Sequence, residues 1–322
     1  MKETQTFRKY LIEEFYDDYR EGEISRRTFI RRVAFITGSM AATIAAMSAA
    51  GCKPIELPAA TEPMPTDTPA AEQPRPTSVP PSDPQSPLSV PADDPDVQGS
   101  NVTFDNGGDE IMAYLARPAA EGVYPAILVC HENRGLNPHI EDVARRFAKN
   151  GYVALAIDLL SREGGTAAHD RDAVPGLLTD AGADRHVSDF IAGAEYLQTL
   201  DFVDGERLGM IGFCFGGGIT WRVATALPTL KAAVPFYGPA PELDQVPNIK
   251  AAVLGVYAEL DERINASKDP LDEALTAAGV THQMNVYPGV NHAFHNDTGQ
   301  RYVEEQATQA WMDALAWFAE YV

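Results

Sequence analysis

The chain of 322 residues is 45% hydrophobic and has a formal net charge of −21, from 25 basic and 46 acidic residues. This length and apolar content suffice for one sizeable core. The negative charge and the lack of a basic stripe exclude nucleic acid as an expected partner. The three cysteines, Cys52, Cys130 and Cys214, are too few and too scattered for a disulfide framework or a metal site.

Residues 1–52 have the pattern of an export signal. Paired arginines within residues 25–30 precede a modestly apolar segment, residues 33–50, that is rich in small residues. This arrangement resembles a twin-arginine signal. The segment 50–52 resembles a lipobox, in which Cys52 becomes the lipidated mature N-terminus. A retained transmembrane anchor is the alternative. Both interpretations predict an exported protein whose N-terminus tethers it at the outer face of the cytoplasmic membrane.

Residues 53–98 are predicted to be an extended linker. They contain 13 of the 24 prolines of the chain, mixed with Thr, Ser, Asp and Ala. Such a composition cannot form a core. A folded domain is therefore expected over residues 99–322. It begins with a predicted hairpin whose strands, 101–104 and 110–117, flank a Gly-containing turn.

From residue 125 to the C-terminus, apolar strands alternate with amphipathic helices. The predicted strands cover residues 125–130, 152–160, 207–212, 232–237, 251–257 and 282–287, and the predicted helices cover 139–150, 189–200, 267–278 and 301–321. This alternation indicates an α/β fold with a mostly parallel sheet and helices on both faces. In such sheets functional residues lie at the carboxyl ends of the strands.

The most informative segment is Gly212-Phe213-Cys214-Phe215-Gly216, which follows a buried strand and begins a helix. It is a nucleophile-elbow pattern with cysteine at the position where serine is usual. The sharp turn lifts the nucleophile above the sheet, and the helix N-terminus favours a thiolate. The alternative is an inert, buried cysteine beside a glycine turn.

An acid and a histidine follow the elbow in the chain order that this architecture requires. Asp261 comes just after one predicted strand, and His292 lies on the loop after the next strand. His292 would accept the thiol proton, and Asp261 would hold the imidazole in its tautomer and orientation. Either residue alone is compatible with an ordinary surface turn, but together they favour a Cys-His-Asp triad.

The loop His131-Glu132-Asn133-Arg134-Gly135 follows the first buried strand. In an α/β-hydrolase this loop supplies one N–H of the oxyanion hole, and the residue after the nucleophile supplies the other. The backbone N–H groups of Asn133 and Phe215 are therefore expected to hold the oxyanion.

Two charged residues at strand ends are further candidates. Glu132 is expected near Cys214, unless it forms a salt bridge with Arg134 or Arg145. Arg162 is expected just past a strand end, where a guanidinium can bind a substrate carboxylate with two hydrogen bonds. The alternative for Arg162 is a surface ion pair with a nearby acidic residue.

These motifs resemble those of the dienelactone hydrolase family, within the α/β-hydrolases, over about residues 102–318. The motifs are His131-Glu132-x-x-Gly135, Asp158-Leu-x-x-Arg162, Gly212-Phe-Cys-Phe-Gly-Gly, Asp261 after its strand, and Tyr287-Pro-Gly-x-x-His292-Ala-Phe294. The resemblance implies a monomeric hydrolase without a cofactor, acting on a small ester or lactone, notably cyclic enol lactones. It implies the same triad, with Glu132 touching the resting cysteine and Arg162 binding a substrate carboxylate.

One position departs from the pattern of this family. Dienelactone hydrolases have a second carboxylate-binding arginine four residues after the histidine, where this chain has Asn296. An export signal is also unusual for the family. Both features leave the expectation of a carboxymethylenebutenolidase-like hydrolase of a small ester or lactone intact, and they leave open whether the dienelactone itself is the substrate. Three alternatives stay open: a broader carboxylesterase or thioesterase for neutral substrates, a surface-anchored binding protein without turnover, and a redox site that pairs Cys214 with Cys130.

Overall fold

The computed structural model describes residues 2–37 and 85–322, with the side chains of residues 2–7 left out. The chain divides into two compact units, Met1–Ser82 and Asp83–Val322. The expected lipidation residue Cys52, the end of the apolar segment and most of the proline-rich linker lie outside the described residues.

In the first unit the described residues form two helices, α1 (Lys2–Arg20) and α2 (Arg26–Thr37). The rings of Tyr19 and Phe29 stack with their centroids 5.6 Å apart and hold the two helices together. The paired arginines of the expected export signal are the first two residues of α2. Among the described residues, no helix has both the length and the hydropathy of a membrane span.

The second unit is built on a central sheet, to which its described residues contribute eight strands. The strands are β1 (Val97–Asn106), β2 (Asp109–Pro118), β3 (Tyr124–Cys130), β4 (Val153–Ile157), β5 (Val203–Phe213), β6 (Ala232–Phe236), β7 (Ala252–Ala258) and β8 (His282–Tyr287). Their order is β1-β2-β4-β3-β5-β6-β7-β8. The pairs β1–β2 and β2–β4 are antiparallel, and the remaining neighbours are parallel.

The sheet is flanked by helices that follow its strands. They are α3 (Pro138–Lys149), α4 (Val174–Ala181), α5 (Ala183–Gln198), α6 (Phe215–Ala226), α7 (Glu262–Asn265), α8 (Lys268–Ala278) and α9 (Glu304–Tyr321). Short 3-10 turns cover Ser161–Glu163, Thr166–Ala168 and Leu243–Asn248. The predicted α/β fold with a mostly parallel sheet is confirmed.

The side-chain contacts show that helices cover both faces of the sheet. A side chain at Gly209 of β5 would collide with Ile127 of β3 and with α9, so these share one face. A side chain at Gly193 of α5 would likewise press against Leu155 of β4, so α5 and Leu155 share one face of the sheet. Ile127 is paired with Ala154, and because side chains alternate along a strand, Leu155 points to the opposite face. Helices α5 and α9 therefore enclose the sheet from its two sides.

Helix α3 shows how sequence signals set the ends of an element. The side chain of Asn137 accepts hydrogen bonds from the N–H groups of His139 and Ile140, and Pro138 occupies the first turn. Glu141 lies in that first turn and Lys149 in the last, where each charge complements the helix dipole.

Strand β4 ends earlier than predicted, at Ile157 instead of residue 160. Asp158 turns the chain out of the sheet, because its carboxylate accepts hydrogen bonds from the N–H of Leu160 at 3.0 Å and of Thr166 at 2.7 Å. Leu159 and Leu160 are buried in the turn that follows. Their apolar side chains extend the sequence pattern of the strand, so the strand was predicted too long.

The second unit also begins earlier than the expected boundary at residue 99. The N–H of Val90 donates to Asp142 Oδ1 of α3 at 2.6 Å, and the carbonyl of Val90 accepts from Arg145 Nε at 2.7 Å. Both side chains are buried. The end of the proline-rich segment is therefore an anchored part of this unit.

Candidate active site

Cys214 lies at the junction of β5 and α6 in a conformation that few side chains adopt. Its φ is 58° and its ψ is −119°, and its N–H donates to the carbonyl of Phe236 at 3.0 Å. A positive φ of this kind costs about 1–3 kcal/mol and is typical of functional sites. A side chain at Gly212 would collide with the carbonyl of Gly216, and one at Gly216 with the carbonyl of His131. These close approaches explain the glycine spacing around the cysteine.

The structure brings Cys214, Asp261 and His292 together at the carboxyl ends of β5, β7 and β8. His292 Nδ1 lies 2.5 Å from Asp261 Oδ2, and Asp261 Oδ1 accepts from the N–H of Ile264 at 3.2 Å. A ring nitrogen of His292 lies within 4.8 Å of Cys214 Sγ. Among the described residues, His292 Nε2 is buried without a hydrogen-bond partner. This nitrogen is therefore open to a proton from a nucleophile.

The three side chains are largely removed from solvent, with 3%, 5% and 6% of the area of Cys214, Asp261 and His292 exposed. Burial alone would raise the pKa of Asp261. The charge and hydrogen bond of His292, with help from Arg263, outweigh burial and lower the pKa below its ordinary value. The carboxylate is therefore ionised near neutral pH and can orient the imidazole and stabilise its protonated form.

The histidine loop, which joins β8 to α9 and carries His292, is held in one conformation by local contacts. The N–H of His292 donates to Asn291 Oδ1 at 2.7 Å, and Ala293 has a positive φ of 63°. The ring of Tyr237 packs against that of His292 at 5.0 Å between centroids. The imidazole is thus bound by Asp261 through one nitrogen and packs against the tilted ring of Tyr237.

Glu132 lies beside this site and is 7% exposed. Its Oε2 accepts a hydrogen bond from Asn296 Nδ2 at 2.6 Å, and its Oε1 is buried without a partner among the described residues. A salt bridge to Arg134 or Arg145 was the alternative expectation. Arg145 instead donates to the carbonyl of Val90, and the hydrogen bond that Glu132 accepts comes from the uncharged amide of Asn296.

The two residues expected to supply the oxyanion hole are both buried. Phe215 begins α6, and its ring lies between those of His131, at 6.1 Å, and His186, at 5.5 Å. Burial lowers the pKa of His131 and lowers that of His186 to about 3, so both rings are neutral. These contacts fix the start of the helix. The pairing of the Phe215 N–H with that of Asn133 stays a prediction.

Arg162 is engaged within the protein. Its Nη1 lies 2.8 and 2.9 Å from the two carboxylate oxygens of Asp189, and its Nε lies 2.5 Å from Asp109 Oδ2. Burial would lower the pKa of Arg162, but these two carboxylates raise it. A substrate carboxylate would have to compete with both aspartates. The role of Arg162 in binding a substrate carboxylate therefore stays a prediction. Without substrate, its contacts are those of the alternative, an ion pair with nearby acidic residues.

Tyr237 is a candidate that the sequence reasoning missed. It follows β6 with a positive φ of 36°, and its N–H donates to the carbonyl of Val256 at 2.7 Å. Its hydroxyl is buried without a partner among the described residues. Burial, followed by the negative groups of Glu132 and Cys214, raises the pKa of the phenol well above its ordinary value. A Tyr-Gly pair at the end of the strand beside the nucleophile strand was the available signal.

A buried ionic cluster connects the histidine loop to helix α3. Arg146 of α3 bridges Asp142 and Asp297, at 2.5 and 2.7 Å, and Asp297 also lies 2.8 Å from His139 Nδ1. The N–H of Ser86 donates to Asp297 at 3.2 Å. The cluster therefore joins α3, the histidine loop and the segment around Ser86 at the start of this unit.

A mostly parallel sheet that ends in a cysteine elbow, an aspartate and a histidine, in this chain order, defines an α/β-hydrolase. The sequence model described as "Dienelactone hydrolase family" matches residues 111–322. The chain belongs to the dienelactone hydrolase family.

Similar proteins agree with this assignment. The "Putative carboxymethylenebutenolidase" of Methylorubrum extorquens is 38% identical over 224 residues, which are 66% of this chain and 77% of that protein. The protein of the same name from Salmonella typhi is 37% identical over 229 residues, which are 66% and 84% of the two chains. The crystal structure of "Putative Dienelactone Hydrolase" from Klebsiella pneumoniae is 34% identical with a TM-score of 0.65 and covers 70% of this chain and 99% of its own. The protein is a hydrolase that acts on an ester or lactone bond.

Proposed function

We propose that the protein cleaves a small ester or lactone through an acyl-enzyme on Cys214, with His292 as the base and Asp261 as its orienting partner. The observation that supports this proposal most directly is the His292–Asp261 hydrogen bond of 2.5 Å. Because Nδ1 is used by this bond, Nε2 is the nitrogen that can accept a proton from the thiol. The enzyme is expected to work as a monomer and without a cofactor.

In the first half of the reaction, the thiol proton of Cys214 passes to His292 Nε2. The thiolate attacks the carbonyl carbon, so that an S–C bond forms and the carbonyl π electrons move to oxygen. The bond to the leaving oxygen then breaks, and His292 returns the proton to that oxygen. For a lactone, the leaving oxygen stays attached to the acyl group.

In the second half, a water molecule attacks the carbonyl carbon of the thioester as His292 accepts its proton. The S–C bond then breaks, its electron pair and the proton on His292 pass to the sulfur of Cys214, and the acid is released. The backbone N–H groups of Asn133 and Phe215 are proposed to bind the oxyanion in both halves. Glu132, with one buried oxygen that lacks a partner, is proposed as a second group able to draw the proton from the resting thiol.

The test compares the full-length protein with its Cys214→Ala and Cys214→Ser variants on p-nitrophenyl acetate and on a cyclic enol lactone that carries a carboxylate. A burst of p-nitrophenol from the wild-type protein would show that acyl transfer to sulfur precedes a slower hydrolysis. The alanine variant should lose turnover of both compounds. Turnover retained by Cys214→Ala would overturn the mechanism, and wild-type binding without turnover would favour the binding-protein alternative.

We also propose that the protein is exported, with residues 1–52 as a twin-arginine signal, Cys52 as its lipidated residue, and the proline-rich segment as the tether. The motif within residues 25–30 and the small-residue end at 50–52 support this proposal. Cell fractionation and mass spectrometry of the mature N-terminus test it. An Arg26→Lys, Arg27→Lys double variant should stay in the cytoplasm. An uncleaved N-terminus in the membrane would favour the retained anchor over lipidation.

A further inference from the structure

The amide of Asn296 has only one orientation that satisfies its neighbours. Its Oδ1 accepts hydrogen bonds from the N–H of Thr298 at 3.0 Å and from the Thr298 hydroxyl at 2.7 Å. A backbone N–H is only a donor, so the atom that faces it must be the oxygen. The Nδ2 group is therefore the one directed at Glu132, at 2.6 Å from Oε2.

This contact fixes Glu132 without changing the charge of the site. An amide donates a hydrogen bond to a carboxylate but brings no positive charge to offset it. The other oxygen of Glu132 is buried and has no partner among the described residues. A second negative group that entered beside Glu132 would meet repulsion, and burial weakens the screening by water and salt.

Arg162, the substrate-carboxylate candidate of the sequence analysis, is already engaged by two carboxylates. Arg162 is held by Asp189 on one nitrogen and by Asp109 on another, and its side chain is 19% exposed. A substrate carboxylate would have to displace at least one of these two. The chain as a whole carries a formal net charge of −21, so it gives anionic substrates no long-range attraction.

We propose that Asn296 determines which substrates the site accepts: it holds Glu132 within the candidate site and makes that site selective for uncharged acyl groups over acyl groups that carry a carboxylate. The proposal rests on the proposed role of Cys214 as the nucleophile. It assigns Asn296 as a positioning and specificity-determining residue, and it names neutral small esters and lactones as the substrate class.

The first test uses two thiol reagents of nearly equal size that differ in charge, iodoacetamide and iodoacetate, so it does not depend on hydrolysis. In both reactions the sulfur of Cys214 displaces iodide as an S–C bond forms. Rates are measured on the full-length protein by peptide mapping, with glutathione as the free-thiol reference. The ratio of iodoacetamide to iodoacetate rates should exceed that of glutathione by about tenfold, which corresponds to about 1.4 kcal/mol.

An arginine at position 296 should weaken this preference. Asn296→Arg is expected to lower the amide-to-carboxylate ratio at least fivefold, because a cation beside Glu132 offsets its charge. The matched control is Asn248→Arg, which adds the same charge on an exposed 3-10 turn and should leave the ratio unchanged. Asn296→Leu removes the donor without adding charge and should keep the preference for the neutral reagent while slowing ester turnover.

The second test uses p-nitrophenyl acetate and mono-p-nitrophenyl succinate, which share a leaving group. Wild-type kcat/KM should favour the acetate, and Asn296→Arg should shift the ratio toward the succinate. A wild-type preference for the succinate or for iodoacetate would overturn the charge assignment, even if Cys214→Ala abolishes hydrolysis. Hydrolysis that survives in Cys214→Ala would overturn the proposed function, while the alkylation ratio would still decide the role of Asn296.

Discussion

Replacing Arg146 with methionine tests whether the buried ionic cluster holds the histidine loop in place. The guanidinium lies 2.5 Å from Asp142 Oδ2 and 2.7 Å from Asp297 Oδ2. The three side chains are between 0% and 2% exposed. Methionine keeps much of the length of the arginine but removes its charge, so two carboxylates stay buried without their shared cation.

The magnitude follows from the partners that each carboxylate keeps. Removing one member of a buried ion pair costs about 3–5 kcal/mol, because the remaining charge is left without compensation. Here Asp297 keeps His139 at 2.8 Å, and Asp142 keeps the N–H of Val90 at 2.6 Å and the guanidinium of Arg145 at 3.9 Å. We therefore expect a loss near the lower end, about 3 kcal/mol in the free energy of unfolding at neutral pH.

Denaturant unfolding of the purified protein measures this loss, with Arg207→Met as the matched control. Arg207 pairs with Asp204 at 2.7 Å, but the two side chains are 47% and 36% exposed. Breaking an exposed pair changes stability by about 0–1 kcal/mol. The Arg146 variant should also lose kcat, because Asp297 belongs to the loop that carries His292. Equal and small losses in the two variants would refute the reasoning.

The pH dependence gives an independent check on the same cluster. Burial would raise the pKa of Asp297, but the hydrogen bond from His139 and the charge of Arg146 hold it well below its ordinary value. This stabilisation is present above the unfolded pKa of about 3.9 and is lost as the pH falls through the lower folded pKa. Without Arg146 the folded pKa rises, and protonation relieves the unpaired carboxylate. The stability deficit of the variant should therefore be smaller at pH 4 than at pH 7, and a constant deficit would contradict the assignment.

Three further predictions concern the active site and its surroundings. Asp261→Asn should lower kcat by about 10⁴ with little change in KM, as in triads where the orienting carboxylate is lost, and a decrease under tenfold in steady-state assays would contradict its role. Arg162→Met should lower the unfolding midpoint, because Asp189 loses its cation. The kcat/KM for a neutral ester should stay within about twofold of the wild-type value. A decrease in kcat/KM for carboxylated esters alone would instead support the role of Arg162 in binding a substrate carboxylate. Gly216→Ala should lower the free energy of unfolding by about 1–3 kcal/mol, because the added methyl group overpacks the site. Gly107→Ala in the open hairpin turn is the control and should lower it less, as measured by thermal unfolding.

The positions of Cys214, Asp261 and His292 were predictable because local signals agree with the topology. Gly212 and Gly216 leave space where the chain passes close to itself, and the acid and histidine each follow a parallel strand. Parallel strands bring their carboxyl ends to one edge, so residues far apart in sequence meet there. The elements themselves were predicted well where hydrophobic periodicity was strong, as in α3 and β8.

The ends of elements and the charged contacts were harder to predict. Strand β4 was predicted too long, because a turn fixed by the carboxylate of Asp158 buries leucines just as a strand does. The partners of Arg162 come from β2 and α5, far from it in sequence. The cluster around Asp297 depends on contacts between α3 and the histidine loop. No single-sequence pattern encodes which distant carboxylate a given arginine will meet.

The role of Asn296 illustrates what the sequence could and could not provide. The sequence showed that asparagine replaces an expected arginine, but not that its amide binds Glu132. That contact depends on the orientation set by Thr298 and on the approach of two loops separated by most of the domain. The asparagine at this position therefore suggested a different substrate, and its contact with Glu132 is the observation from which a preference for neutral substrates is proposed.

The most direct test of the proposed mechanism is to trap the covalent intermediate. The full-length protein is mixed with p-nitrophenyl acetate, quenched in acid during turnover and digested, and the peptide that contains Cys214 is examined by mass spectrometry. The mechanism predicts an acetyl group on Cys214 that decays as hydrolysis proceeds, and no such adduct in Cys214→Ala. Turnover without an adduct on this residue, together with full activity of Cys214→Ala, would contradict the proposal that Cys214 is the nucleophile.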